Sequence, residues 1–116
     1  MDEKRFRELV GEALDSLPSA FARKLDNVAI TVEDFPTEEQ RRKLNLPPWA
    51  ILFGLYEGVP QTDRGNYSGV IPDKITIFKD SIEKVSRTED EVRAQVRATV
   101  IHEIGHHFGL SDKDLK

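Results

Sequence analysis

Apolar residues return at intervals of three and four from the start of the chain: Phe6, Leu9, Val10, Ala13, Leu14 and Leu17. That spacing gathers them on one face of a helix, and Pro18 interrupts the pattern. Pro18 suits the first turn of a second short helix, where a missing N–H costs nothing; Phe21 and Leu25 then face inward, Arg23 and Lys24 outward. From Asn27 to Glu33 the period changes to two. Val28, Ile30 and Val32 alternate with Ala29, Thr31 and Glu33, as a half-buried strand requires. Thr37 and Gln40 form a capping box that opens a short charged helix ending near Leu44, and Asn45-Leu46-Pro47-Pro48 stops it. Two further strands are predicted, over Ile51 to Tyr56, interrupted by Gly54, and over Lys74 to Phe78. Between them Gly58, Pro60, Gly65, Asn66 and Gly69 exclude regular structure, and so long a loop in so small a chain points to function.

The longest element follows. Thr88 and Glu91 form a second capping box, Glu89, Asp90 and Glu91 place negative charge at the positive helix end, and Gly109 suits a left-handed C-terminal residue. A helix is therefore predicted over Glu89 to Phe108. Val92, Val96, Val100 and Ile104 form its core face. Ala94, Ala98, Ile101 and Phe108 extend apolar cover around the circumference, so its last half is expected to be buried on several sides; Arg93 and Arg97 form the solvated face. Ser111, with Asp112 and Asp114, suits the cap of a final helical stub.

Composition narrows the class. At 116 residues the chain is expected to form one domain, 1–116, with no internal repeat. A net charge of −4 and a pI near 5.4 argue against nucleic acid as the main partner, since non-specific affinity there comes from Lys and Arg on phosphates. Cysteine is absent, which removes disulfide scaffolds, thiolate zinc sites and cysteine nucleophiles and leaves nitrogen and oxygen as the only metal donors. Charged residues crowd the first dozen positions, and the most apolar run, Trp49 to Phe53, falls far short of the roughly 20 residues that cross a bilayer. The expectation is a cytoplasmic protein without membrane contact, in which the sequon at Asn66 carries no glycan.

Within the last helix stands His102-Glu103-Ile104-Gly105-His106, an H-E-x-x-H pattern that holds two of the chain's three histidines. At about 100° per residue, His102 and His106 project within roughly 40° of each other one turn apart, so two imidazoles can reach one ion. Glu103 points to the side, where it can touch a metal-bound water without being a ligand. Catalytic zinc takes three protein ligands and an open position. Gly109 can turn the chain out of the helix, and Asp112 then arrives as the third donor, giving H-E-x-x-H-x-x-G-x-x-D; Asp114 is its rival, and Asp112 has an alternative reading as a capping residue. His107 points about 100° away from His106 and reads as a supporting or core-lining residue.

These residues carry a resemblance. The string VIHEIGHHFGLSD, with GLYEG and PDKITIFK, is similar to the minimal zincin-like zinc metallopeptidases of bacteria, from about Val28 onward. The resemblance implies an α+β fold: a small twisted mixed sheet of three to four strands packed on the active-site helix, with helices at the N-terminus. It implies zinc held by His102, His106 and Asp112, and Glu103 as general base. In metzincins a Met-containing turn follows the motif, whereas Met1 is the only methionine here. The expected activity is hydrolysis of a peptide or protein substrate: zinc lowers the pKa of its water from about 15.7 toward roughly 7, and Glu103 moves the proton to the leaving amine. Tyr56, Tyr67 and Arg64 are candidate oxyanion stabilisers. The strand at Ile75 to Phe78 is either an interior strand or the edge that receives an extended peptide. Two other readings stand beside this one. A metal-dependent endoribonuclease carries H-x-x-x-H-x-x-G-x-x-H, which lacks the glutamate; in a non-catalytic binding module, zinc would only fasten the C-terminus.

Overall fold

In the computed structural model, which describes residues 1–58 and 72–109, the predicted alternation of helix and strand is present with one addition. Helix α1 (Glu3–Asp15) is capped by Asp2, whose carboxylate accepts from the Arg5 N–H at 2.8 Å, and it buries Phe6, Leu9, Val10 and Ala13. Pro18 stands just ahead of α2 (Ser19–Lys24), at its N-cap. Strand β1 spans Val28–Glu33. The capping box of α3 (Glu38–Lys43) is complete: the Gln40 N–H donates to Thr37 Oγ1 at 3.0 Å, and the Thr37 N–H donates to Gln40 Oε1 at 2.9 Å. Strand β2 covers Gly54–Glu57, so its start falls at the glycine and not at Ile51. Strand β3 covers Asp73–Phe78.

The addition is α4 (Lys79–Val85), which continues directly from β3. No side chain caps it, and its apolar content is too sparse for a periodic stripe. It is held instead by i,i+4 ion pairs, Lys79 to Glu83 at 2.8 Å and Asp80 to Lys84 at 3.0 Å, and by the burial of Ile82. The bond to Glu83 raises the Lys79 ammonium pKa above its usual value.

Helix α5 (Glu89–Phe108) has the predicted limits. Thr88 Oγ1 accepts from the Glu91 N–H at 3.1 Å, while the Glu91 carboxylate reaches the Arg87 N–H at 3.2 Å, one residue before the cap. Gly109 adopts φ 64°, the left-handed conformation that glycine enters without penalty, and its N–H closes on the Gly105 carbonyl.

The three strands are ordered β1-β3-β2, with β1 parallel and β2 antiparallel to β3. The strand at Ile75 to Phe78 is therefore interior, which resolves the two readings of it; Ile75, Thr76, Ile77 and Phe78 are all buried. Ile75 and Ile77 join one core with Val96, Val100 and Ile104 of α5 and Phe6 and Leu9 of α1. Each such side chain contributes about 1.5–3 kcal/mol on full burial. α5 packs against α1, α2, α4, β2 and β3, so the helix bearing the histidines is the central support of the fold. Salt bridges tie α1 to its first turns: Arg5 donates to Glu89 at 2.7 and 2.8 Å, and Arg93 to Glu12 at 2.7 Å. The Arg5 hydrogen bond holds the Glu89 carboxyl below the usual carboxylate range, and Glu12 raises the Arg93 guanidinium.

One expectation is corrected. The last turns of α5 are not enclosed: Ala94, Ala98, His102, His106, His107 and Phe108 are exposed, and the core stripe ends at Ile104 and Gly105. Exposed imidazoles find partners in water, so burial does not by itself argue for a metal here. Among the described residues no helix is long and apolar enough to cross a membrane.

Candidate metal and catalytic site

His102 and His106 lie one turn apart on the open face of α5, with ring centroids 4.8 Å apart and planes inclined by 34°. Both residues are exposed to solvent. The donor set is two neutral-capable nitrogens without a sulfur, which suits zinc and its tetrahedral preference. Among the described residues no group of three or more metal-binding side chains occurs. The predicted third donor, Asp112, and its rival Asp114 lie outside the described residues, as do Ser111, Tyr67 and Arg64.

Glu103 leaves the helix toward the sheet. Its Oε1 accepts a hydrogen bond from the Tyr56 backbone N–H at 3.0 Å. The register explains why that donor is available. Just before β2 the Phe53 carbonyl accepts from the Phe78 N–H at 2.9 Å, so Phe53 pairs with β3, while Gly54 and Tyr56, of the opposite parity, turn their backbone groups to the side away from β3. The carboxylate thus caps an edge-strand donor that would otherwise remain open.

Tyr56 braces the same region with its side chain. Its ring stacks on His107 at 3.8 Å between centroids, and its hydroxyl donates to Asp73 Oδ2 at 2.9 Å. His107 Nε2 lies 3.9 Å from the same carboxylate oxygen. Phe108 meets both rings edge-on, and the Lys24 ammonium sits 4.8 Å above the Phe108 ring. His107 therefore faces Tyr56 and not the His102–His106 pair, in keeping with its predicted supporting place, although it is exposed and not core-lining. The single proton of the Tyr56 hydroxyl is committed to Asp73, which counts against Tyr56 as an oxyanion donor.

A cleft of about 390 Å³ opens beside Glu103, between Ile51, Leu52, Phe53 and Gly54 on the strand side and Gln95, Ala98, Thr99 and His102 on α5. Gly54 makes this approach possible. A Cβ there would stand 2.6 Å from Thr99 Cγ2 and 3.1 Å from the Thr76 carbonyl oxygen.

The description of zincin-like metallopeptidases as a family matches residues 25–116, which take in β1, the sheet, α5 and the whole motif. The chain belongs to the zincin-like metallopeptidase family. No curated protein matches it. Among solved structures, a conserved hypothetical protein from Thermus thermophilus superposes with a TM-score of 0.58 at 23% identity, over 93% of this chain and 94% of that one. At that identity the likeness is one of fold.

Two features of this site leave no mark in the sequence. Asp73 sits opposite the hydroxyl of Tyr56 only because the antiparallel pairing of β2 with β3 brings them together, and no local pattern marks that pairing. The bond from the edge strand to Glu103 is a main-chain donor and leaves no trace in residue type. Gly54 did leave one: a glycine inside a strand pattern signals close approach of another backbone or side chain.

Proposed function

We propose that this chain is a zinc-dependent peptidase in which His102, His106 and Asp112 hold the metal and Glu103 is the general base. The observation that carries the reading is the convergence of two imidazoles 4.8 Å apart with a carboxylate that faces a cleft at a sheet edge. Family membership supports metal-dependent peptide hydrolysis as the reaction class. Zinc, when bound, supplies a Lewis acid for the substrate carbonyl and acidifies a water.

The remaining work falls to the chain. Glu103, half-buried and fixed by the Tyr56 N–H, stands one residue along the helix from His102 and so flanks the metal position without entering it. It takes a proton from the attacking water as the new C–O bond forms, and gives that proton to the amide nitrogen as the C–N bond breaks. Among the described residues no strand pairs with the side of β2 away from β3, so that edge can receive an extended peptide beside the cleft. The Asp112 assignment rests on its offset past Gly109, whose left-handed turn redirects the chain where the helix ends.

The test is metal analysis followed by cleavage. Purified protein is expected to hold about one equivalent of zinc, lost in His106→Ala and in His102→Ala. Glu103→Gln should keep the zinc and lose at least about 100-fold in hydrolysis of a peptide mixture, the scale of general-base catalysis. Structured RNA cut by the wild type but not by Glu103→Gln would replace this reading with the ribonuclease one, and unchanged behaviour of Glu103→Gln in every assay would make the metal purely structural.

A further inference from the structure

Tyr56 touches the motif helix at two places. Its main-chain N–H donates to Glu103 Oε1 at 3.0 Å, and its ring lies nearly flat on His107, with planes inclined by 15°. Glu103 and His107 are four residues apart in sequence, so they stand one turn apart on the same side of α5. One residue of β2 therefore spans a full helical turn, with its main chain on one contact and its side chain on the other. The far end of the ring is held by the sheet itself, where the hydroxyl donates to Asp73 Oδ2 at 2.9 Å. Asp73 stands two positions before Ile75, the residue directly opposite Tyr56, and so reaches the ring along the diagonal of the antiparallel pair. Phe108 closes the end of the stack, edge-on to both rings.

None of Tyr56, Asp73 and His107 lines the cleft beside Glu103. What they have in common is the place of one N–H. That donor engages Glu103 Oε1, and among the described residues no donor bonds Oε2, which is left for the proton of the attacking water. Glu103 crosses from helix to sheet on a flexible side chain, so a bond on one oxygen selects one orientation of the carboxylate. The selection is only as firm as the donor. β2 is four residues long and pairs with β3 alone among the described strands, so its main chain needs a further hold on α5. The Tyr56 ring, fixed at one end by Asp73 and along its face by His107, supplies that hold.

Resting on the peptidase reading above, we infer that Tyr56, Asp73 and His107 are positioning residues for the general base. Asp73 and His107 fix the Tyr56 ring, the ring fixes the main chain of β2 against α5, and the Tyr56 N–H fixes the Glu103 carboxylate. His107 thus acts on the reaction through Tyr56 and not as a metal ligand. A displacement of about 1 Å at a reacting group can cost up to roughly 100-fold in rate, so a hold of this kind bears on turnover even though its members stand apart from the reacting atoms.

The experiment has two arms, both with the zinc-loaded full chain. In the first, Asp73→Ala and His107→Ala should each lower kcat on a peptide substrate by about 10-fold, with KM within about 2-fold of wild type and zinc stoichiometry unchanged. Asp73→Asn, whose amide oxygen still accepts from the hydroxyl, and His107→Phe, which keeps a ring to stack on, should recover most of that loss. In the second arm, which needs no turnover, hydrogen exchange at the Tyr56 amide is followed by NMR. It should quicken by about 10-fold or more in Asp73→Ala and His107→Ala, while exchange at buried Ile77 of the central strand stays within about 3-fold of wild type. Quickened exchange at Tyr56 in a chain that cuts no peptide would sink the peptidase reading and leave the hold on Glu103 standing. Unchanged kcat in both alanine variants, a loss carried by KM alone, loss of zinc in His107→Ala, or equal quickening at Tyr56 and Ile77 would overturn the positioning role.

Discussion

Replacing Gly54 by alanine adds a methyl group at the point where β2 touches α5. The new Cβ would lie 2.6 Å from Thr99 Cγ2, and ordinary contact begins at 3.4 Å, so strand and helix must separate by about 0.8 Å. Neither neighbour gives easily: Thr99 is a buried β-branched residue, and the Thr76 oxygen at 3.1 Å belongs to the backbone of the central strand. Overpacking of this kind costs roughly 1–3 kcal/mol. Against it, alanine restricts the unfolded chain and returns about 0.4–1 kcal/mol. The balance is a loss of about 1–2 kcal/mol, which for a domain of this size lowers the thermal midpoint by roughly 3–10 °C, read by circular dichroism. Displacement of β2 also stretches the 3.0 Å bond from the Tyr56 N–H to Glu103, so exchange of that amide should accelerate. Thr99→Ser removes the offending methyl and keeps the hydroxyl. In that background Gly54→Ala should cost less, with about 1 kcal/mol of coupling between the two sites. A midpoint that rises or stays fixed in Gly54→Ala, or an equal fall in both backgrounds, would refute the contact as the reason for glycine.

Other outcomes follow from the same structure. Asp112→Asn should weaken zinc binding in a competition titration with a chelator, while Asp114→Asn leaves it unchanged; the reverse order would transfer the third-ligand assignment. Ile104→Ala, at a fully buried position between the two histidines, should cost about 2–5 kcal/mol in urea denaturation through the cavity it leaves. Glu89 has its carboxyl pKa depressed by Arg5, so their link stabilises the fold above the ordinary carboxylate range and is lost as pH falls through the depressed value. Arg5→Met should therefore lower the urea midpoint at neutral pH, and the gap to wild type should close as pH falls through the depressed Glu89 value; a gap that persists in acid would show that Arg5 acts through packing alone.

The legibility of the sequence tracks the range of the interactions involved. Helices with a periodic stripe and a capping residue were readable to within a residue or two, because stripe and cap are both local: α5 runs from the residue after Thr88 to the residue before Gly109. The capping box at Thr37 was readable for the same reason. α4 was not, since Ile82 owes its burial to α5 and its ion pairs are too generic to mark an element. The start of β2 was misplaced because Ile51 and Leu52 look like strand residues but face a cleft instead of a partner. In the site, the spacing of His102, Glu103 and His106 was written in the motif, whereas the Tyr56 and Asp73 braces arise from strand register. The solvent exposure of the final helical turns was missed because apolar letters at Ala94, Ala98 and Phe108 do not say whether anything packs on them.

Trp49 is the chain's single tryptophan, and the residue is 82% exposed in the folded protein. Its emission therefore already has the colour of a wet indole, and denaturation should shift it little; intrinsic fluorescence is a poor gauge of unfolding here. The same placement makes it a useful gauge of something else. A ligand that settles over Ile51 and spreads toward Trp49 dries the ring and moves the emission to the blue, so the unmodified chain carries its own optical report of cleft occupancy.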